Sequence, residues 1–317
     1  MIKIIADSSC NLPEDILEKY DVTVIPITIT IKGRTYIDYE EITPQQLFDM
    51  LPDLEELPTT AAPSPNAFME EYAHQVEAGI KDIIVITISS GASATYQSAI
   101  IAKDSFLSET DREDIRIHVV DSLSMSHGSG YLIIKTGEMI KESKSFEEII
   151  EFNEKYKTRV KHYLSVSDLD NLIKSGRLSH VTAIIGKVLN IAPILTIKKG
   201  KAAICGKVRG HKKIYRYYID EFKKRVDKDI TDFIILGYTS DISYAQNVKS
   251  LINNETNFEG DIYIWQIGAT TGTHVGLGCV TMFFIEKPKT NHYSDIYSEV
   301  KEQVKHKVSE TLSHLKK

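Results

Sequence analysis

The sharpest change from apolar to polar positions in this chain lies at residues 82–99, which read DIIVITISSGASATYQSA. The β-branched run at 83–88 predicts a strand that is covered on both faces. Four small residues follow it: Ser89, Ser90, Gly91 and Ser93. They stand where the next helix should begin, and free N–H groups and hydroxyls at a helix N-terminus favour anions. Because this turn contains no Lys or Arg, the pattern predicts a carboxylate or phosphate held by neutral donors.

The first half of the chain alternates strand and helix patterns. The predicted strands are 2–5, 22–31 as one or two strands, 34–37, 83–88 and 115–121. The predicted helices are 13–20 with Asn11 as its cap, 44–50 after Thr43, 65–79 after Ser64, 95–105, 126–141 and 146–156. This βαβ order predicts a parallel sheet with helices on both faces.

The second half mixes the same two patterns in a less regular order. The predicted strands are 163–166, 194–197, 233–238, 262–267 and 279–285. The predicted helices are 169–175, 182–190, 212–227, 243–253 and 295–315. We therefore expect an α/β protein of two domains, one at 1–145 with a parallel sheet and one at 146–317 with a mixed sheet.

Small polar side chains recur where the strands of the first half end. They are Asp7, Ser8 and Ser9; Ser89, Ser90 and Ser93; and Asp121, Ser122 and Ser124. Parallel sheets bind ligands beyond the carboxyl ends of their strands. Three such ends in one sheet predict a shared polar cleft.

Three further segments carry candidate chemistry. Residues 58–65 contain three prolines, which predict an extended loop that offers the hydroxyls of Thr59 and Thr60. Residues 268–278 contain four glycines around His274, which permit close approach to a ligand, but they match no nucleotide fingerprint. At 172–178, Gly176 predicts a helix end, and Arg177 is typical of a surface residue.

Ser93 also lies between a strand and a helix, the context of a hydrolase nucleophile. Ser93, a later acid and His274 would follow the chain order of a hydrolase triad. The closing glycine of the usual elbow and an oxyanion segment are absent. A serine hydrolase and a binder of small anions or phosphometabolites remain the alternatives.

Composition narrows the class of protein. The 317 residues carry a net charge of −6, yet residues 198–225 contain eleven Lys and Arg, a candidate surface for an acidic partner or an anionic membrane. Cys10, Cys205 and Cys279 are too few and too far apart for a disulfide framework or a zinc site. The chain has no signal peptide and no membrane-spanning run, so we expect a cytoplasmic protein. No recognition motif accompanies the basic residues, so we expect no nucleic acid.

Taken together, the motifs resemble those of the DegV family of bacterial fatty-acid-binding proteins, which includes the FakB subunits of fatty acid kinase. The resemblance spans nearly the whole chain, and the motifs include IIADSSCNLP at 4–13, PTTAAPSPNAF at 58–68, SSGASATYQSA at 89–99, DNLIKSGRLS at 170–179 and IGATTGTHVGLG at 267–278.

This resemblance implies a DegV-like fold with a long-chain fatty acid between the two domains. The carboxylate would be held by Thr60, Ser93 and His274, with secondary contacts at Thr59, Ser90, Gly91 and Thr273. The protein would be no enzyme and would need no cofactor or metal. It would present the acid to a separate ATP-dependent kinase and carry the acyl phosphate to phospholipid synthesis, with transient contact at the inner face of the membrane. Arg177 and Arg209 match positions that would face the kinase.

Overall fold

The computed structural model describes residues 1–110, 112–167, 169–178 and 191–288. Met1–Glu286 form one compact unit. Its hydrophobic clusters join residues from both sides of the predicted boundary at 145/146, which itself stays a prediction. The predicted helices at 182–190 and 295–315 lie outside the described residues.

The strands and helices of the described residues alternate through most of the chain. The strands are β1 (Ile2–Asp7), β2 (Val22–Ile25), β3 (Thr28–Ile31), β4 (Arg34–Ile37), β5 (Thr59–Ala61), β6 (Asp82–Thr87), β7 (Arg116–Asp121), β8 (Val160–Ser165), β9 (Ile191–Lys198), β10 (Lys201–Arg209), β11 (Phe233–Tyr238), β12 (Asp261–Gln266) and β13 (Val280–Ile285). The helices are α1 (Glu14–Lys19), α2 (Pro44–Met50), α3 (Pro65–Glu77), α4 (Thr95–Thr110), α5 (His127–Lys141), α6 (Phe146–Tyr156), α7 (Asp170–Lys174), α8 (His211–Arg225), α9 (Ile242–Glu255) and α10 (Ala269–Val275).

The first sheet is parallel, as predicted, with the strand order β2-β1-β6-β7. Ile83 and Val85 of β6 pack against α3 and α4 on one face, whereas Ile84 and Ile86 face the opposite side. All four side chains are at most 1% exposed. The strand therefore reads as a continuous apolar run because both of its faces are covered.

The second sheet is mixed, also as predicted, with the order β10-β9-β8-β13-β11-β12. Only the pair β11 and β12 is parallel, and the other pairs are antiparallel. One face of this sheet packs against α8 and α9. The other face contributes Phe233, Ile235 and Phe283 to the core that it shares with the first sheet.

Helix α5 lies between the two sheets and is buried around most of its circumference. A helix that is apolar on all sides is suited to such a central layer. Gly130 brings α5 close to the preceding chain, since a Cβ atom there would stand 2.8 Å from the Cys10 carbonyl oxygen. The order of layers is thus α3 and α4, first sheet, α5 and α6, second sheet, α8 and α9.

A small antiparallel sheet of order β4-β3-β5 holds part of the predicted loop. Ile29 of β3 pairs with Thr60, so residues 59–61 form a strand rather than a free extended loop. Backbone pairing leaves the Thr60 side chain fixed in direction, which matters for the site described below.

One local prediction is wrong, and two elements were not predicted. Asn11 is not the cap of α1: it adopts φ 56°, ends the turn Ser8–Cys10, and donates its side-chain amide to the Ser8 carbonyl oxygen. Strand β10 was not predicted, because its Lys, Ala and Gly residues have low strand propensity. The glycine-rich segment contains helix α10, which the sequence pattern did not indicate.

Candidate functional site

The principal cavity lies beyond the carboxyl ends of the first sheet and above the β8–β13 part of the second sheet. Its volume is about 290 Å³, at the low end of ligand pockets, which span roughly 300–1,000 Å³. The apolar wall includes Ile27, Ile88, Met125, Leu164, Leu172, Ile197, Ile267, Val275 and Phe283. The polar wall comprises Thr60, Ser93, Ser126, His162, Arg177, Thr270, Thr271, His274 and Thr281. The three residues predicted to hold a carboxylate therefore line one cavity.

Thr60 and His274 form a pair in this wall, although 214 positions separate them in the chain. The Thr60 Oγ1 and His274 Nε2 atoms are 3.1 Å apart. Burial, helped by the charge of Arg177, lowers the pKa of His274 to about 4, so the ring is neutral at neutral pH. The buried Nδ1 atom has no hydrogen-bond partner. In the tautomer with its hydrogen on Nε2, the ring donates to Thr60 Oγ1, and the Thr60 hydroxyl keeps its own hydrogen for a ligand oxygen.

Ser93 reaches the wall from the turn between β6 and α4. Its Oγ atom lies 2.8 Å from the Thr95 Oγ1 atom and accepts the Thr95 N–H at the first residue of the helix. Ser89 shapes the turn instead, because its hydroxyl donates to the Gly200 carbonyl oxygen at 2.8 Å. Of the four small residues in this turn, Ser93 is the one that lines the cavity.

The predicted cleft shared by three strand ends is wrong in its details. The Asp7 carboxylate accepts the Ile88 N–H at 2.7 Å and the Ser9 hydroxyl, and the Asp121 carboxylate accepts the Ser90 N–H at 3.0 Å. These carboxylates connect neighbouring loops at the sheet edge. Their polar atoms are used by the protein and lie outside the cavity wall.

Arg177 lies in the cavity wall, which the sequence did not indicate. Its Nε–H donates to the Ala92 carbonyl oxygen at 3.1 Å, and Nη1 donates to the Ser175 carbonyl oxygen. A guanidinium has five N–H donors, so donors remain for a ligand. Gly176, with φ +73°, closes α7 as predicted and turns the chain toward this position. A site expected to hold its anion with neutral donors alone therefore includes a cation.

The four predicted secondary contacts do not line the cavity. Thr59 alternates away from Thr60 along β5, and the exposed Ser90 binds Asp121. Gly91 packs against the Gly200 backbone, and the Thr273 hydroxyl donates to the Ala269 carbonyl oxygen. Arg209 is exposed at the end of β10, and the expected partner-facing role of Arg177 and Arg209 stays a prediction.

The contacts of a serine hydrolase are absent among the described residues. Ser93 Oγ is paired with Thr95 rather than His274, and His274 Nδ1 has no carboxylate partner. A triad needs both contacts, to a nucleophile and to an orienting acid. No group of three metal-ligating side chains occurs in the part of the chain that the structure describes.

Comparison with known proteins bears on the family and the fold of this chain. A sequence model of the family described as "Uncharacterised protein, DegV family" matches residues 1–287. The chain belongs to the DegV family. A DegV domain-containing protein of Clostridium acetobutylicum is 39% identical over 289 residues. The match covers 90% of the present chain and 99% of the Clostridium protein.

Two solved DegV structures extend the comparison to three dimensions. A Thermus thermophilus DegV protein described as fatty acid binding has a TM-score of 0.81 at 27% identity, covering 90% of this chain and 99% of that one. The Streptococcus pneumoniae Fatty Acid Kinase (Fak) B3 protein, loaded with linoleic acid, has a TM-score of 0.77 at 25% identity. The match covers 90% of this chain and 100% of that one. The parallel N-terminal sheet and the mixed C-terminal sheet match the DegV fold. Among the described residues, no helix is both long and apolar enough to span a bilayer.

Proposed function

We propose that this DegV protein binds a long-chain fatty acid in its principal cavity and presents the carboxylate to a separate ATP-dependent fatty acid kinase. It carries the acid and the acyl phosphate toward phospholipid synthesis and does not transfer the phosphoryl group itself. The observation that supports this most is the Thr60–His274 pair, with one uncommitted hydrogen, in the wall of a largely apolar cavity.

The carboxylate end of the ligand belongs at Thr60, Ser93 and His274. A buried carboxylate loses its hydration and needs donors to compensate. The hydroxyls and the neutral imidazole supply directional hydrogen bonds, and Arg177 adds a positive charge in the same wall. This charge favours an ionised acid over its neutral form.

The acyl chain supplies most of the affinity. Burial of about 14 methylene groups at about 0.8 kcal/mol each gives on the order of 11 kcal/mol before ordering costs. Because the donors largely offset the desolvation of the carboxylate, their main effect is on its orientation. Capture of the chain and placement of the carboxylate should therefore respond differently to mutation.

Extraction of the purified protein under denaturing conditions, followed by lipid mass spectrometry, tests the binding. We expect about one long-chain fatty acid per protein molecule. Substoichiometric lipid, together with failure of added oleic acid to displace a fluorescent fatty acid, would contradict the proposal. A covalent fluorophosphonate adduct on Ser93 would support the hydrolase instead.

The variant Ser93→Ala distinguishes orientation of the carboxylate from capture of the acyl chain. We expect a folded variant with a dissociation constant for oleic acid within about threefold of wild type. Acyl phosphate formation by a bacterial fatty acid kinase and ATP should fall about tenfold or more, since a carboxylate without this donor is misplaced for transfer and a displacement of about 1 Å can cost about 100-fold in rate. Ser90→Ala is the matched control, because Ser90 lies in the same turn but binds Asp121. Equal phosphorylation rates for wild type and Ser93→Ala would contradict the assignment.

The basic segment at 198–225 supports transient contact with an anionic membrane. Of the basic residues of α8, Arg216 and Lys223 pair with Glu255, and Lys224 and Arg225 pair with Glu221. Lys212 and Lys213 at the start of this helix are exposed and adjacent, so they are the residues to change. A basic residue near an anionic surface contributes about 1 kcal/mol. The double change Lys212→Glu and Lys213→Glu should lower sedimentation with phosphatidylglycerol vesicles at least about tenfold. Lys144→Glu with Lys155→Glu, the same charge change elsewhere, should leave it unchanged, and equal losses in both pairs would exclude a specific surface.

A further inference from the structure

A second cavity, which we call the Tyr39 groove, lies at the end of the molecule where the strands of the first sheet end. Its volume is about 270 Å³, and it is bounded by the loop after β1, the loop between β4 and α2, and the carboxyl end of β12. None of the described residues that line it is a Lys or Arg. Apolar and aromatic side chains form most of its wall: Leu12, Pro13, Tyr39, Ile42, Pro44 and Trp265.

Tyr39 is held in this groove at a cost to its backbone. Its φ of 73° lies in the left-handed region, which a bulky side chain rarely adopts. The hydroxyl donates to the Leu12 carbonyl oxygen at 2.9 Å, and the N–H donates to Asp38 Oδ1 at 3.1 Å. The residue nevertheless remains 40% exposed. A ring that is exposed yet fixed is preorganised for contact, because it loses little freedom when a partner binds.

Trp265 is the second aromatic anchor of the groove and the only tryptophan of the chain. Its ring stacks on Tyr263 with centroids 4.8 Å apart, and the His127 ring lies 5.9 Å away. These contacts fix the indole, which is still half-buried rather than covered. Tryptophan, tyrosine and arginine are the residues enriched at the energetic centres of protein interfaces. The groove supplies the first two.

The charge at the edges of the groove indicates the partner that it fits. An acidic pair follows each of two lining residues in the chain: Glu14–Asp15 after Pro13, and Glu40–Glu41 after Tyr39. All four acids are exposed, and none forms an ion pair with a described residue. A guanidinium group complements such a surface, because it pairs with carboxylates and stacks on aromatic rings. Anionic membranes and nucleic acids would be repelled by the same charges.

The basic segment of a second copy of this chain is a poor occupant. That segment, at 198–225, includes β10, and β10 and β12 are the opposite edges of the second sheet. A copy that placed its basic segment in this groove would leave its own groove free for a third copy. Such contacts join molecules head to tail into an open chain. A different protein can occupy the groove in a closed complex.

We propose that the Tyr39 groove is the docking site for an arginine-bearing segment of a partner protein. The guanidinium group lies against Tyr39 and Trp265, and the acidic pairs at 14–15 and 40–41 balance its charge. This surface does not depend on which ligand the principal cavity holds. The inference therefore stands or falls separately from the proposed fatty-acid binding.

The groove shares part of its wall with the principal cavity. Asn11 of the groove accepts the Ser126 hydroxyl at 2.7 Å, and Asp38 of the groove accepts the Thr270 hydroxyl at 2.6 Å. Ser126 and Thr270 line the principal cavity. A docked partner is thus separated from the ligand cavity by single hydrogen-bonded pairs.

The fluorescence of Trp265 tests the docking, because the chain has no other tryptophan. The probe is a peptide of about nine residues that alternates arginine and alanine, added to the full-length protein at low salt. We expect a saturable change in emission with a dissociation constant below about 100 µM. The matching lysine peptide should bind about threefold or more weakly, since it lacks the planar stacking group, and a glutamate peptide should not bind. Absence of a saturable change with the arginine peptide, or equal affinity for the lysine peptide, would overturn the proposal.

Two variants locate the peptide, with anisotropy of a fluorescein-labelled arginine peptide as the readout. Tyr39→Asn removes the ring and should fold, because asparagine tolerates a left-handed backbone. Glu14→Lys with Glu40→Lys reverses a charge in each acidic pair. Both variants should weaken binding about tenfold or more. Glu77→Lys with Glu113→Lys makes the same net charge change near the amino ends of β6 and β7, at the opposite end of the first sheet, and should bind within about twofold of wild type. Equal losses in the two double variants would show attraction by net charge alone and would refute a specific groove.

Sedimentation velocity of the protein alone tests a second copy as the occupant. We expect wild type and the variant Glu14→Lys with Glu40→Lys to sediment alike over the same concentrations. Self-association of wild type that this double variant abolishes would assign the groove to a second copy and would contradict docking of a different protein.

Discussion

Acidification from about pH 7.5 to pH 5 is expected to lower the free energy of unfolding by about 2 kcal/mol for each of the buried histidines His127 and His162. Burial lowers the pKa of both to about 3, whereas an unfolded chain has its histidines near 6.5. Below pH 6.5 the unfolded state therefore binds protons that the folded state does not. Stability rises with pH in that window and is lost progressively as the pH falls toward 3.

The buried carboxyl group of Asp38 acts in the opposite direction. Burial raises its pKa to about 6, so between pH 6 and 3.8 the folded state binds the extra proton and gains stability on acidification. The effect of one histidine is therefore best measured as a difference between two proteins that share Asp38. The variant His162→Leu meets this condition.

Urea unfolding of wild type and His162→Leu between about pH 7.5 and 5 provides this measurement. The stability of wild type relative to the variant should fall by about 2 kcal/mol across that range, because the variant cannot take up this proton when it unfolds. His74→Gln, which changes an exposed histidine of α3, should show no such difference. A constant difference between wild type and His162→Leu at all pH values would contradict a buried neutral imidazole.

The regular elements could be predicted where one physical signal dominates. Helix α6 has both contacts of a capping box, from Ser145 and Glu148, and its predicted bounds agree with the structure. Strand β11 is a short apolar run between turn residues, and its bounds also agree. In both cases the local sequence and the tertiary environment favour the same conformation.

Other elements could not be predicted because long-range pairing decides them. Strand β5 has only three residues and two neighbouring prolines, and it exists because β3 pairs with it. Strand β10 is paired with β9 along its length, although many of its side chains are basic or exposed. Pairing with a neighbour overrides weak or contrary local propensity.

The candidate site likewise contains residues that the sequence could identify and residues that it could not. Thr60, Ser93 and His274 could be found because the family motifs contain them, and they line one cavity. Arg177 also lies in one of these motifs, at 170–179, but the sequence indicated a surface position for it and not the cavity. His162 and Thr281 lie outside the motifs, in ordinary alternating strands. Only the fold brings them to the same cavity.

Replacement of Tyr131 by alanine is expected to lower the free energy of unfolding by about 3–5 kcal/mol, as for other large aromatic side chains in cores. Tyr131 is completely buried on α5 between the two sheets. Its ring stacks on Phe233 of β11 with centroids 4.1 Å apart, and its hydroxyl donates to the Phe233 carbonyl oxygen at 3.1 Å. The side chain thus joins the central helix to the second sheet, and its loss leaves a cavity in the layer on which both sheets depend.

Tyr131→Phe isolates the hydroxyl and should lose only about 1 kcal/mol, the usual net contribution of one hydrogen bond. Guanidinium unfolding of the two variants gives the comparison, with the midpoint as readout and the slope as a check on two-state behaviour. A loss of less than about 1 kcal/mol for Tyr131→Ala would contradict a core shared by the two sheets. Because Gly128 on the same helix packs against His162, the alanine variant should also weaken stearic acid binding, whereas the phenylalanine variant should bind as wild type does.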